Sequence, residues 1–179
     1  ALMFCSLSKV TFPGAGVAAM AASRRNIDYI LKNMFPMIIS FDKLNQVRHI
    51  RFLKDMDGLA AHMEKHRALL EPKFRAVLAI LDEGLSGCGS IARWTKPNGG
   101  YFLSLYTLGG CAKRTVQLCR EAGVVLTDAG AAYPYGVDPQ DSNIRIAPTF
   151  PPLDELETAS RLLCVCVRIA TLEKLLQRQ

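Results

Sequence analysis

The chain has 179 residues, 50% of them hydrophobic and 21% charged, with 22 lysines and arginines against 16 acidic residues and a formal charge of +6. That composition excludes a disordered or low-complexity segment, and the length suits one domain with a real core or one domain plus part of another. The basic residues stand beside acidic ones, as in MEKHRALLEPKFR, so the excess reads as solvated helix faces and not as a nucleic-acid stripe, and no apolar run reaches the roughly 18–20 residues of a bilayer span.

ALMFC reads as a buried strand, and after the glycines of PGAG the run GVAAMAAS reads as a second. SRRNIDYILKNMF predicts a helix with Ser23 as N-cap and Ile27, Ile30, Leu31 and Met34 on one face. DKLNQVRHIRFLKD predicts another. From Leu59 to Leu85 apolar residues recur every three or four positions, giving one long amphipathic helix with Pro72 placed to bend it. IARWTKPNGGYFLSLYTL then predicts two strands around a Pro-Asn-Gly-Gly turn. CAKRTVQLCREAG is a helix closed by Gly123, VVLTDAG a short strand, AYPYGVDPQDS a loop and SNIRIAP another strand. LDELETASRLLCVCVRIATLEKLLQ is a terminal helix with acids in its first turn. The predicted class is α/β or α+β.

The six cysteines, Cys5, Cys88, Cys111, Cys119, Cys164 and Cys166, form no CxxC pair and lie mostly in apolar runs, so they read as reduced, buried small hydrophobes. His62 and His66 are four apart on a helix, but HMEKH lacks the glutamate that follows the first histidine in a zinc-protease motif, and no metal site is predicted. ALMFCSLSK has no basic leader and no initiator methionine, and it resembles the end of a strand. The chain is therefore expected to be a C-terminal piece of something longer.

Three polar features stand out. Ser6-Leu7-Ser8-Lys9 closes the first strand, and the lysine is either an ordinary strand-end charge or an amine held for chemistry. Arg145 is the one cation in the apolar strand SNIRIAP. A guanidinium there needs an anionic partner, either a structural ion pair or a bound carboxylate. PNGGYF brings backbone close to something or makes a tight turn alone.

Together these stretches resemble the fold-type-I pyridoxal phosphate aminotransferases. SLSKVTFPGAGVAAMAAS is similar to their lysine segment, KPNGGYFLSL to their small-domain turn, and DSNIRIAPTFPPLDELETA to the carboxylate-binding arginine strand before the terminal helix. DKLNQVRHIRFLKD, WTKPNGGYF and AYPYGVDPQDSNIRIAPTFPP narrow the resemblance to the aspartate aminotransferase subgroup labelled alanine-glyoxylate aminotransferase-like. It covers nearly the whole chain. The implied fold is the C-terminal part of the fold-type-I aminotransferase: residues 1–58 as the end of the large cofactor-binding domain, and 59–179 as the small α+β domain.

The resemblance implies that Lys9 holds pyridoxal 5'-phosphate as an internal aldimine and moves a proton between the substrate Cα and the cofactor. Such an amine must be at least partly neutral to act. It implies that Ser6 and Ser8 bind the cofactor phosphate beside Lys9, and that Arg145 clamps the substrate carboxylate. Many relatives carry PGxR after the lysine, where the arginine pairs with the phosphate. Here Gly16 stands at that position, and the glycine-loop amides are expected to take over. Lys43, Asn45, Gln46 and Arg48 lie in the region where a dicarboxylate's second carboxylate would be recognised. The implied reaction is transfer of an amino group between aspartate and 2-oxoglutarate, with alanine and glyoxylate as the other pair, in a homodimer with no nucleic-acid or membrane partner. The family's aspartate for the pyridine nitrogen and most of its phosphate loop precede the lysine, so these 179 residues alone are expected to be inactive. A cytoplasmic location is expected, an organelle being left open. The rival readings are an aminotransferase-like sensor domain of a transcriptional regulator and a truncated, non-catalytic paralogue.

Overall fold

Leu2–Ser6 (β1) and Ala18–Ala22 (β2) pair antiparallel with Leu2 opposite Ala22 and Ser6 opposite Ala18, and Leu7 N–H extends the ribbon by donating to the Val17 carbonyl. This computed structural model describes residues 1–177, without the side chains of residues 88–90, and it divides into two units, Ala1–Ala68 and Leu69–Gln179. In the first unit β1 departs from the buried strand expected. All five residues are exposed, Phe4 to 73%, because a two-stranded ribbon is too narrow to bury its own side chains. Cys5 is exposed with it, which corrects its assignment as a buried hydrophobe.

Arg24–Ile38 (α1) starts after Ser23 as expected, although the Ser23 hydroxyl makes no capping bond; its carbonyl accepts from the Asn26 and Ile27 N–H groups. Lys43–Leu53 (α2) is capped by Asp42, whose carboxylate accepts from Asn45 N–H at 2.9 Å. Met56–Leu85 (α3) continues through Pro72 as one element whose first 13 or so residues belong to this unit.

The second unit is built on a three-stranded antiparallel sheet, Ala92–Trp94 (β3), Leu103–Thr107 (β4) and Asn143–Ile146 (β5), in the order β3-β4-β5. β4 alternates strictly, with Leu103, Leu105 and Thr107 buried and Ser104 and Tyr106 on the other face. Against the buried face lie Val77, Leu81 and Leu85 of α3, Val116 and Cys119 of Ala112–Glu121 (α4), and Leu163 and Val167 of Leu153–Leu176 (α5). Truncating Leu81, which is 0% exposed, to alanine should cost about 2–5 kcal/mol, read as a lower denaturant midpoint with an unchanged slope.

The α4 terminus confirms the role of Gly123. Its φ is +89°, its N–H donates to the Arg120 carbonyl, and Val124 N–H donates to the Cys119 carbonyl, a Schellman arrangement. The β3–β4 pair forms as predicted, with Ala92 opposite Thr107, but its connection runs from 95 to 102 and is longer than the Pro-Asn-Gly-Gly turn alone. VVLTDAG does not form the expected strand. Val124 and Leu126 pack on the core from an irregular segment that touches β5 through Gly130 N–H donating to the Asn143 carbonyl. Apolar burial, and not a ladder, is what Val124 and Leu126 signalled, while Val125 between them is exposed.

Cys111, Cys119, Cys164 and Cys166 are buried, and burial beside Cys166 pushes the Cys119 thiol up to about 12. The side chain of Cys88 lies outside the described residues. Among the described residues no helix is long and apolar enough to cross a membrane, and no three His, Cys, Asp or Glu side chains gather as a metal site.

Candidate functional site

In the first unit the chain leaves β1 into a turn in which Val10 and Thr11 N–H both donate to the Leu7 carbonyl, each at 2.9 Å. Lys9 sits at the exposed apex. The two preceding hydroxyls are brought together: Ser6 Oγ donates to Ser8 Oγ at 3.0 Å and accepts from Ser8 N–H at 3.2 Å. Ser6, Ser8 and Lys9 thus lie within one turn, the two hydroxyls in contact with each other.

The following loop closes back on this turn through Gly14, whose φ of +76° is left-handed, and through Ala15 N–H donating to the Phe12 carbonyl. Gly16 has a steric reason to be glycine. A Cβ there would stand 2.0 Å from Ser8 Oγ and 3.0 Å from Ser8 Cα, so Ser8 fills the space that any side chain at 16, arginine included, would need. Gly16→Ala should therefore lower stability by about 1–3 kcal/mol through forced movement of the Ser8 backbone. An unchanged thermal midpoint would show that the two segments yield without strain.

The loop rests on α2 and α3. Asn45 is buried, and its Nδ2 donates to the Ala15 carbonyl at 2.7 Å, while its Oδ1 is buried without a partner among the described residues. Phe12 stacks edge-on to His49, with ring centroids 5.2 Å apart, and lies 5.1 Å from Phe52, with the Arg48 guanidinium 5.9 Å from its ring centre. Sequence spacing gave no signal for these contacts, which join residues 30 to 40 positions apart.

In the second unit Arg145 lies opposite Ser104 in the β4–β5 register, between the buried Ile144 and Ile146. Its guanidinium carbon is 4.8 Å from the centre of the Phe102 ring, which belongs to the PNGGYF motif. Its Nε is buried with no hydrogen-bond partner, and among the described residues it joins no ion pair, so the structural-ion-pair alternative finds no partner here. Arg145 lines a cavity of about 560 Å³ together with Val124, Leu126, Ala147, Asp154 and Glu155.

Asp138 fixes the entry to this strand. Burial acts to raise its carboxyl, but the Ser142, Asn143 and Gln140 N–H groups and the Ser142 hydroxyl outweigh it and hold the group below the usual carboxylate range. A depressed folded value means that the stability Asp138 lends is present above its unfolded titration and is lost as the pH falls through the folded one. Asp138→Asn should flatten the acid side of the stability-versus-pH curve, measured by denaturant unfolding across that range.

The mixed α/β fold is that of aminotransferases. The crystal structure of an aspartate transaminase from Corynebacterium glutamicum matches with a TM-score of 0.89 at 43% identity, over 96% of this chain and 40% of that one. LysN, the α-aminoadipate aminotransferase of Thermus thermophilus complexed with N-(5'-phosphopyridoxyl)-L-leucine, shares the fold with a TM-score of 0.76 at 21% identity, over 95% of this chain and 42% of that one. The profile of the aspartate amino-transferase family matches residues 1–179, and the chain belongs to that family. The aspartate aminotransferase of Corynebacterium glutamicum is 44% identical over 170 residues, 95% of this chain and 39% of the relative. A Mycolicibacterium smegmatis protein named as an aminotransferase is 50% identical over 175 residues, 98% of this chain and 41% of its own. The chain thus spans about two fifths of the length of the curated relatives it matches.

Proposed function

We propose that the protein carrying this chain is a pyridoxal phosphate-dependent aminotransferase that moves an amino group from an amino acid, aspartate foremost, to a 2-oxo acid, 2-oxoglutarate foremost. The observation that carries the reading is Arg145: a half-buried guanidinium, positioned by strand β5 and the Phe102 ring, whose Nε has no hydrogen-bond partner among the described residues. A planar fork left without an anion is suited to a ligand carboxylate.

The lysine turn fits the cofactor. Ser6 Oγ and Ser8 Oγ are 3.0 Å apart beside Lys9 on the exposed side of the turn, a donor set suited to a phosphate next to a primary amine. Bound pyridoxal phosphate supplies the electron sink for the carbanion at the substrate Cα. The chain's own residues do the rest. Lys9 holds the cofactor through its Nζ and takes or returns the proton at Cα; Ser6 and Ser8 orient the phosphate; Arg145 fixes the substrate carboxylate and so the direction of the Cα–H bond. A homodimer is proposed with it, checked by sedimentation of the full-length protein.

Purified full-length protein given pyridoxal phosphate, aspartate and 2-oxoglutarate should form glutamate. These 179 residues alone should not. Absence of turnover by the full-length protein with either aspartate or alanine as donor would overturn the reading.

A further inference from the structure

The segment from Val10 to Gly16 is tied to α2 and α3 by more bonds than a surface loop needs. Two of them come from histidines. His62 Nε2 is 2.7 Å from the Val10 carbonyl oxygen, which only accepts, so the proton lies on Nε2. His66 Nε2 lies 3.1 Å from the same nitrogen, whose one proton is directed to Val10. His49 is 4% exposed, and its Nδ1 is 2.8 Å from the Asn45 carbonyl, which places the proton on Nδ1. Nε2 of the neutral ring then accepts from the Thr11 hydroxyl at 2.7 Å, a shorter contact than the 3.1 Å from that hydroxyl to the Leu7 carbonyl.

Val10 and Thr11 follow Lys9 directly. Their N–H groups form the turn, while the Val10 carbonyl and the Thr11 side chain are the handles held from outside it. Rings brace the two histidines as well: Phe12 and Phe52 lie between them in a series of edge-on and tilted contacts, with His62 5.0 Å from Phe52 and 4.7 Å from His66. Fixing the backbone beside an exposed lysine narrows the directions that its long stem can take.

We propose that His62, through the Val10 carbonyl, and His49, through Thr11, are positioning residues that clamp the Lys9 turn; the catalytic consequence rests on Lys9 being the cofactor lysine. Neither imidazole touches the reacting atoms. Each acts by holding the two residues after the lysine.

The test uses the full-length protein. Nitrogen-detected NMR of the unmutated protein, without cofactor, should show His62 as the Nε2–H tautomer and His49 as the Nδ1–H tautomer; either opposite tautomer overturns that residue's part. His62→Phe keeps the ring and removes the donor, and it should speed hydrogen exchange at the Val10 and Thr11 amides by about tenfold while leaving amides in α5 unchanged. His62→Gln, which can donate to the same carbonyl, should restore protection to within about threefold. With cofactor, His62→Phe should lower kcat by about tenfold or more with little change in KM, and glutamine should recover it. Failure of the two proposals looks different. A protein that acquires no lysine-bound pyridoxal absorbance defeats the Lys9 reading while the tautomer and exchange results still decide the clamp. Normal absorbance with parental exchange in His62→Phe defeats the clamp alone.

Discussion

Replacing Lys9 by alanine is expected to remove the visible absorbance that pyridoxal phosphate acquires on a lysine, and to lower turnover on the order of 10³-fold, in a protein that still folds. Folding should survive because the turn is closed by backbone groups. Val10 and Thr11 N–H bind the Leu7 carbonyl whatever side chain stands at 9, and the lysine is exposed. Lys9→Arg should be as inactive as the alanine variant. A guanidinium stays protonated at any working pH and can neither bond covalently to the cofactor nor accept a proton from Cα. The two variants together separate chemistry from charge: activity in the arginine variant would mean that position 9 supplies only a cation. An unchanged spectrum in the alanine variant would end the assignment of Lys9.

The elements with long periodicity were legible in the sequence. The apolar positions of α3 and α5, the alternation of β4 and the glycine closing α4 are each local signals, and each element forms where its signal lies. VVLTDAG and ALMFC misled for one reason: an apolar run reports a tendency to be buried, not the presence of a ladder or of a covering layer. Val124 and Leu126 are half-buried without a strand, and β1 is a strand without burial. At the site, the residue types of Lys9 and Arg145 were visible only jointly with the motifs around them. The steric reason for Gly16 lies in Ser8, eight positions earlier, and the histidine contacts span 38 and 52 positions, so no window of local sequence carries them. His62 and His66 did attract notice for their i, i+4 spacing, which puts both rings on one helix face. That spacing sets the His66 ring edge-on against the ring whose nitrogen reaches Val10.

Arg145→Lys should lower kcat/KM for aspartate by about 10²- to 10⁴-fold, nearly as much as Arg145→Ala, since two charge-assisted hydrogen bonds of roughly 1.5–3 kcal/mol each are at stake. Lysine retains the charge but not the fork, and it loses the flat guanidinium that lies over Phe102. Stability should fall by no more than about 1 kcal/mol in either variant, the Phe102 contact being what is lost, because Arg145 joins no ion pair and its Nε has no hydrogen-bond partner among the described residues. The decisive measurement is a comparison of donors. β-Alanine has the skeleton of aspartate without the carboxylate on the reacting carbon, so an arginine that grips that carboxylate matters for aspartate and not for β-alanine. The parental preference for aspartate should therefore collapse in both variants, with the rate on β-alanine nearly unaltered. An equal fall on the two donors would assign Arg145 to the architecture of β5 and leave the carboxylate to another residue. A preference that survives the alanine substitution would remove Arg145 from substrate recognition altogether.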